Sequence, residues 1–222
     1  AELRRALDLP GAVTVEMNEN WLSRHSREMM DLKSAALILD AQAEFLQREG
    51  SNSMALAVAL DGLRLGATAQ NEGTFIDYLV GSACELIAAS RLTNLLTSME
   101  TDSCKRAQTQ LEQMDQKRGP FSRLAEREAE WSWRTFGPVK RLNMMIQSRS
   151  LHPGREWEQL MPDTAEEFRK RTTFTRLAIL RTATRRYELD HGAAPTKMPD
   201  LVPSYLSTPL TNLTTGAALQ LP

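Results

Sequence analysis

The sequence predicts a mainly α protein: an irregular array of antiparallel helical hairpins, then a long C-terminal helix and a mostly irregular tail. Three observations predict it. Ala, Leu, Arg, Glu, Gln and Met, all good helix formers, dominate the composition. Glycine supplies only 11 of 222 residues and aromatics 6%, which disfavours a β-sandwich. Apolar residues recur at three- and four-residue spacing, in runs that stop at glycine or Gly-Pro. With 41% hydrophobic and 25% charged residues the balance is that of an ordinary globular chain, long enough to bury a substantial core.

The elements follow in order. Asn20 is placed to cap a helix carrying Trp21, Leu22, Met29, Leu32, Ala36, Leu39, Ala43 and Leu46 on one face, with Gly50 as its stop. Ser51 or Ser53 caps the next, over Met54, Ala57, Val58, Leu60, Leu63 and Leu65, and the short Gly50-Ser51-Asn52 link makes the two a hairpin. Thr74 opens a third helix, apolar nearly all round in its middle, which belongs at the centre of the array. Asp102 opens a fourth, polar apart from Cys104, Ala107, Leu111 and Met114, which Gly119-Pro120 stops. Ser122 caps a fifth through about Phe136, Gly137-Pro138 breaks it, and a short helix from Val139 to about Ser148 leads to a turn at His152-Pro153-Gly154.

Asp163-Thr164-Ala165-Glu166 has the form of a capping box and opens a helix that should reach His191, acidic at its start and basic later, as the macrodipole favours. Beyond Gly192 only Lys197 and Asp200 are charged, and Leu213–Leu221 around Thr215-Gly216 has the makings of a small hairpin. Residues 1–150 thus form the array, and residues 151–222 the long helix and Pro-rich tail that pack on it as one unit. No 34-residue repeat recurs.

Several function classes find no support. Lysine and arginine number 27 against 28 acidic residues, so no global field draws nucleic acid or an anionic membrane. No run approaches the ~18 apolar residues of a membrane span, and Ala1-Glu2-Leu3-Arg4-Arg5 lacks the apolar core of a signal peptide. There is no phosphate-binding glycine loop, nucleophile elbow or zinc-protease motif. Cys84 and Cys104 are the only cysteines, either buried free thiols or a disulfide between adjacent helices. His25 with Glu28 reads as a surface histidine beside a carboxylate, since a di-iron bundle needs two Glu-x-x-His pairs. His191 reads as a helix C-terminal cap and His152 as a loop residue. No catalytic, cofactor-binding or metal residue is assigned.

Two groups remain as a candidate partner surface. Trp131, Trp133 and Trp157 cluster around the Gly137-Pro138 break, where they either pack between helices or present an aromatic patch. Arg181, Arg185 and Arg186 continue a basic series on the long helix, either a solvated face paired with nearby glutamates or a contact for lipid headgroups, an acidic partner or, least favoured without an aromatic platform, nucleic acid.

Two stretches resemble a known group. Leu63-Arg64-Leu65 preceding Gly73-Thr74-Phe75-Ile76-Asp77-Tyr78-Leu79-Val80-Gly81, and the run from Arg176 through Arg185-Arg186-Tyr187-Glu188-Leu189-Asp190-His191-Gly192 to about Gly216, resemble an uncharacterised family of membrane-anchored helical bacterial proteins, chiefly of planctomycetes. The second stretch alone also resembles the helix-and-tail of type II secretion pseudopilins. The resemblance implies a helical ectodomain behind an N-terminal anchor, outside the cytoplasm, without known activity. The resulting expectation is a non-catalytic extracytoplasmic scaffold or interaction module with a protein partner and no nucleic acid. An accessory component of a secretion or pilus-like machine is the alternative, and an enzyme with an unrecognised site a third.

Overall fold

A computed structural model describes residues 2–7, 11–147 and 162–221, with residues 139–147 described by their backbone. Seven α-helices account for most of these residues, and none of the described residues forms a strand.

After a short α1 (Glu2–Leu7), Asn18 starts the first long helix, α2 (Glu19–Arg48). Asn18 is extended, and its side-chain oxygen accepts the Trp21 N–H at 2.8 Å, so the cap lies two residues before the expected Asn20, which sits inside the first turn. The end of α2 matches expectation. Gly50 takes φ +76°, its N–H reaches Gln47 O, and the Ser51 N–H reaches Leu46 O, which satisfies two orphan carbonyls in a Schellman arrangement.

The chain then doubles back as α3 (Asn52–Gln70) and again as α4 (Phe75–Leu95). Thr74 and Asp77 close a reciprocal capping box at the start of α4, where the sequence predicts a helix start. Glycines allow α3 and α4 to approach closely. A Cβ on Gly66 would stand 2.6 Å from the Gly81 carbonyl oxygen, and one on Gly81 would stand 2.6 Å from the Gly66 carbonyl oxygen. The central place expected for α4 is the one it takes: it packs on α2, on α3 and on the long helix of residues 162–191.

Helix α5 (Thr101–Lys117) begins one residue before Asp102 and ends before Gly119-Pro120. Helix α6 (Phe121–Gln147) is interrupted at Gly137, whose φ of +66° and ψ of 176° are not helical, so the break expected at Gly137-Pro138 divides it into two helical stretches, the first starting at Phe121 rather than at a Ser122 cap. The expected turn at His152-Pro153-Gly154 lies outside the described residues.

Helix α7 (Pro162–His191) ends at Gly192 with φ +74°, and Asp163 lies within its first turn. It buries several threonines, which is tolerable because Thr172, Thr175 and Thr182 donate their hydroxyls to the carbonyls four residues earlier. Its apolar side, Ala178, Ile179, Leu180 and Ala183, packs on Cys104, Ala107 and Leu111 of α5 in the largest core cluster.

That cluster runs in sequence from Ala55 to Leu219 and includes Leu201, Leu206 and Leu219 of the tail, so array, long helix and tail surround one core. Each fully buried leucine there contributes about 2 kcal/mol. The tail is also tied by polar bonds: Gln108 donates to Tyr205 O at 2.6 Å, and the Leu213 N–H donates to Thr173 Oγ1 at 3.0 Å. The small hairpin expected at its end is a turn closed by a single antiparallel bridge between Thr211 and Ala218. Among the described residues no helix is long and apolar enough to cross a membrane.

Candidate functional site

Among the described residues, the predicted partner residues differ in exposure. Trp131 is 5% exposed: it packs on Trp21 and Phe136, and its indole N–H donates to Glu16 O at 3.0 Å. It therefore follows the packing reading, not the exposed one. Trp133, two residues on, is 53% exposed. Trp157 lies outside the described residues.

Two of the three predicted arginines of α7 bond within the fold. Arg185 pairs with Glu188 and donates to Thr97 O, while Arg186 donates to Gln108 Oε1 at 2.7 Å and lies 5.2 Å from the Tyr205 ring centroid. Arg181 is half-buried on the same helix. His191 stacks on Tyr187, 4.1 Å between centroids, and its Nδ1 approaches Tyr187 O, so this histidine does close the helix end as expected.

His25 departs from expectation. It is 5% exposed, stacked on Trp21 at 4.4 Å, with Nε2 2.5 Å from Asp77 Oδ1 and Nδ1 3.1 Å from Glu28 Oε2. A neutral ring can donate to only one of those carboxylates. The other Asp77 oxygen accepts from both the N–H and the hydroxyl of Thr74, at 2.7 and 2.9 Å. Glu128 of α6 accepts the Phe75 N–H at 3.0 Å in the first turn of α4. Burial pushes the Glu128 carboxyl above its ordinary range and the nearby Asp77 adds to that, while the Phe75 N–H opposes it.

This cluster has the residue types of an acid-base site, yet its bonds are spent on pinning α2 and α6 to the start of α4. The sequence offers no route to it, because His25 and Asp77 stand 52 residues apart. Among the described residues no group of three or more His, Cys, Asp or Glu could hold a metal ion. Cys84 and Cys104 are free and buried in separate core clusters, and burial pushes the Cys84 thiol up to about 11.

The outer side of α2 carries a feature that the sequence reading passed over. Opposite the buried Trp21, Met29, Ala36, Leu39 and Ala43, the helix exposes Met30, Leu37, Ile38 and Phe45, with Ile38 68% exposed. Leu37 faces Leu86 and Ile87 of α4 across a shallow groove of about 320 Å³. Arg91 braces this groove from α4, forking onto Asp40 at 2.8 and 3.2 Å and reaching Glu44 at 2.9 Å. The signal was present in the sequence: a helix with more apolar residues than one face can hold.

Compared with protein-family models, with curated proteins and with solved structures, the chain matches none.

Proposed function

We propose that the protein is a non-catalytic interaction module that presents the outer face of α2 to a helical segment of another polypeptide, as an extracytoplasmic scaffold in a bacterial envelope. The second apolar face of α2 carries this reading. Met30, Leu37, Ile38 and Phe45 recur at seven- and eight-residue intervals, so they line a stripe about 22 Å long that an amphipathic helix can follow. Isolated exposed apolar side chains are ordinary, whereas several recurring on one side of a helix beside a braced groove have the character of a binding surface. The envelope address rests on the resemblance of residues 60–96 and 176–216. The secretion alternative draws less support, because α7 spends its apolar side on α5.

The test is affinity isolation of the protein from its native envelope, comparing wild type with Leu37→Glu/Ile38→Glu. Both positions are exposed, so the double variant keeps the fold. A partner recovered stoichiometrically with wild type and lost with the variant supports the reading. Recovery of the same proteins with both, or of the protein alone with wild type, refutes it.

A further inference from the structure

A second surface is independent of that reading. Helices α3, α5 and α6 border a cleft of about 970 Å³, within the size range of ligand pockets, which the α1 end and Phe168 of α7 complete. Five cations line it, Arg64, Lys117, Arg118, Arg123 and Arg127, against the two carboxylates Glu72 and Glu85. Both carboxylates are already matched: Glu85 binds Arg118 at 2.7 Å and Glu72 binds Arg127 at 2.8 Å. Arg64 is engaged by Asp61 and Leu7 O. Lys117 and Arg123 are exposed at the rim, and neither pairs with a carboxylate among the described residues. The cleft therefore holds positive charge in excess.

Its inner wall is lined by Tyr78, 2% exposed, whose hydroxyl lies beside the Ser82 hydroxyl. The Arg118 side chain is 8% exposed; it spends Nη2 on Glu85 and Nη1 on Gln70 Oε1, and its buried Nε has no partner. Unsatisfied buried donors are costly in a native structure and ask for an acceptor. The start of α6 opens beside Gly119 and Pro120 on the same cleft, with the Arg123 N–H turned back onto Pro120 O at 3.1 Å.

We propose that this cleft binds a phosphate-bearing small molecule or headgroup, its phosphate held among Arg118, Arg123 and Lys117 and its apolar part lying on Leu124, Met114 and Phe168. A phosphate suits the site because it brings several acceptor oxygens and more than one negative charge to a surplus of donors and cations.

The test uses the full chain at low ionic strength, with pyrophosphate in calorimetry and, separately, sedimentation with phosphatidylcholine vesicles containing phosphatidic acid. Arg123→Glu removes a rim cation that holds nothing else in place; Arg48→Glu, on α2 outside the cleft, controls for general charge. Saturable one-to-one binding that Arg123→Glu weakens roughly tenfold or more, and Arg48→Glu by less than about twofold, supports the site. If vesicles bind with the same dependence, the phosphate arrives on a lipid headgroup; binding of pyrophosphate alone assigns a soluble ligand. No binding of either probe, or equal losses in Arg123→Glu and Arg48→Glu, overturns the proposal.

Discussion

At the residue scale, Asp77 has the most demands on it. It is fully buried, accepts two bonds from Thr74 that start α4, and faces His25 of α2. Asp77→Ala should cost about 3 kcal/mol, the scale for breaking a buried pair, because it strands the His25 ring and removes the helix cap. A double-mutant cycle with His25→Ala, read from urea unfolding, should show clear coupling; additive losses would place the stabilisation in the cap alone. Glu128 offers a pH prediction. Its folded carboxyl titrates above the ordinary 4.5, so between these values the folded chain holds a proton that the unfolded chain has released. Stability from this group is complete below pH 4.5 and is lost as pH rises through the folded value. Glu128→Gln keeps an acceptor for the Phe75 N–H, so relative to wild type it should gain stability as pH rises above 4.5 in urea titrations. An equal change in both chains would refute this.

At the element scale, the helices follow from local chemistry, and their bounds were legible for that reason. Gly50, Thr74, Gly119-Pro120 and Gly192 act within a few residues of themselves, and the structure places helix ends at each. The misplaced cap at Asn20 shows the limit of this reasoning: Asn18 and Asn20 are equally good caps in sequence, and only the extended backbone at Asn18 decides between them. The close pairing of α3 with α4 was not legible, because a glycine within a helical run says nothing of what approaches it. Gly66→Ala would place a methyl 2.6 Å from the Gly81 carbonyl and 2.7 Å from Glu85 Cγ. We expect a loss of about 2 kcal/mol, with the thermal midpoint several degrees lower, since backbone must move to admit the methyl. An unchanged midpoint would mean that the two helices slide apart at no cost.

At the scale of the whole molecule, one core joins segments from Ala55 to Leu219, and two surfaces remain uncommitted: the apolar stripe of α2 and the basic cleft beside α6. Neither was foreseen, for physical reasons. The expected partner surface gathered tryptophans and arginines that are near in sequence, whereas Trp131 and Arg186 turn inward to bond Glu16 and Gln108 across 115 and 78 residues. The cleft unites Tyr78 of α4, Arg118 of the link between α5 and α6, and Arg123 of α6, a juxtaposition that periodicity cannot carry. The stripe was readable only by asking which apolar residues of α2 the first face leaves over. The most direct test of the interaction-module account is photo-crosslinking in the native cell, with a benzophenone amino acid at Ile38 and, as control, at the exposed Gln116 of α5. The account predicts a discrete adduct with another polypeptide from position 38, absent from position 116 and removed by Leu37→Glu. No adduct from position 38, or the same adducts from both positions, would contradict it.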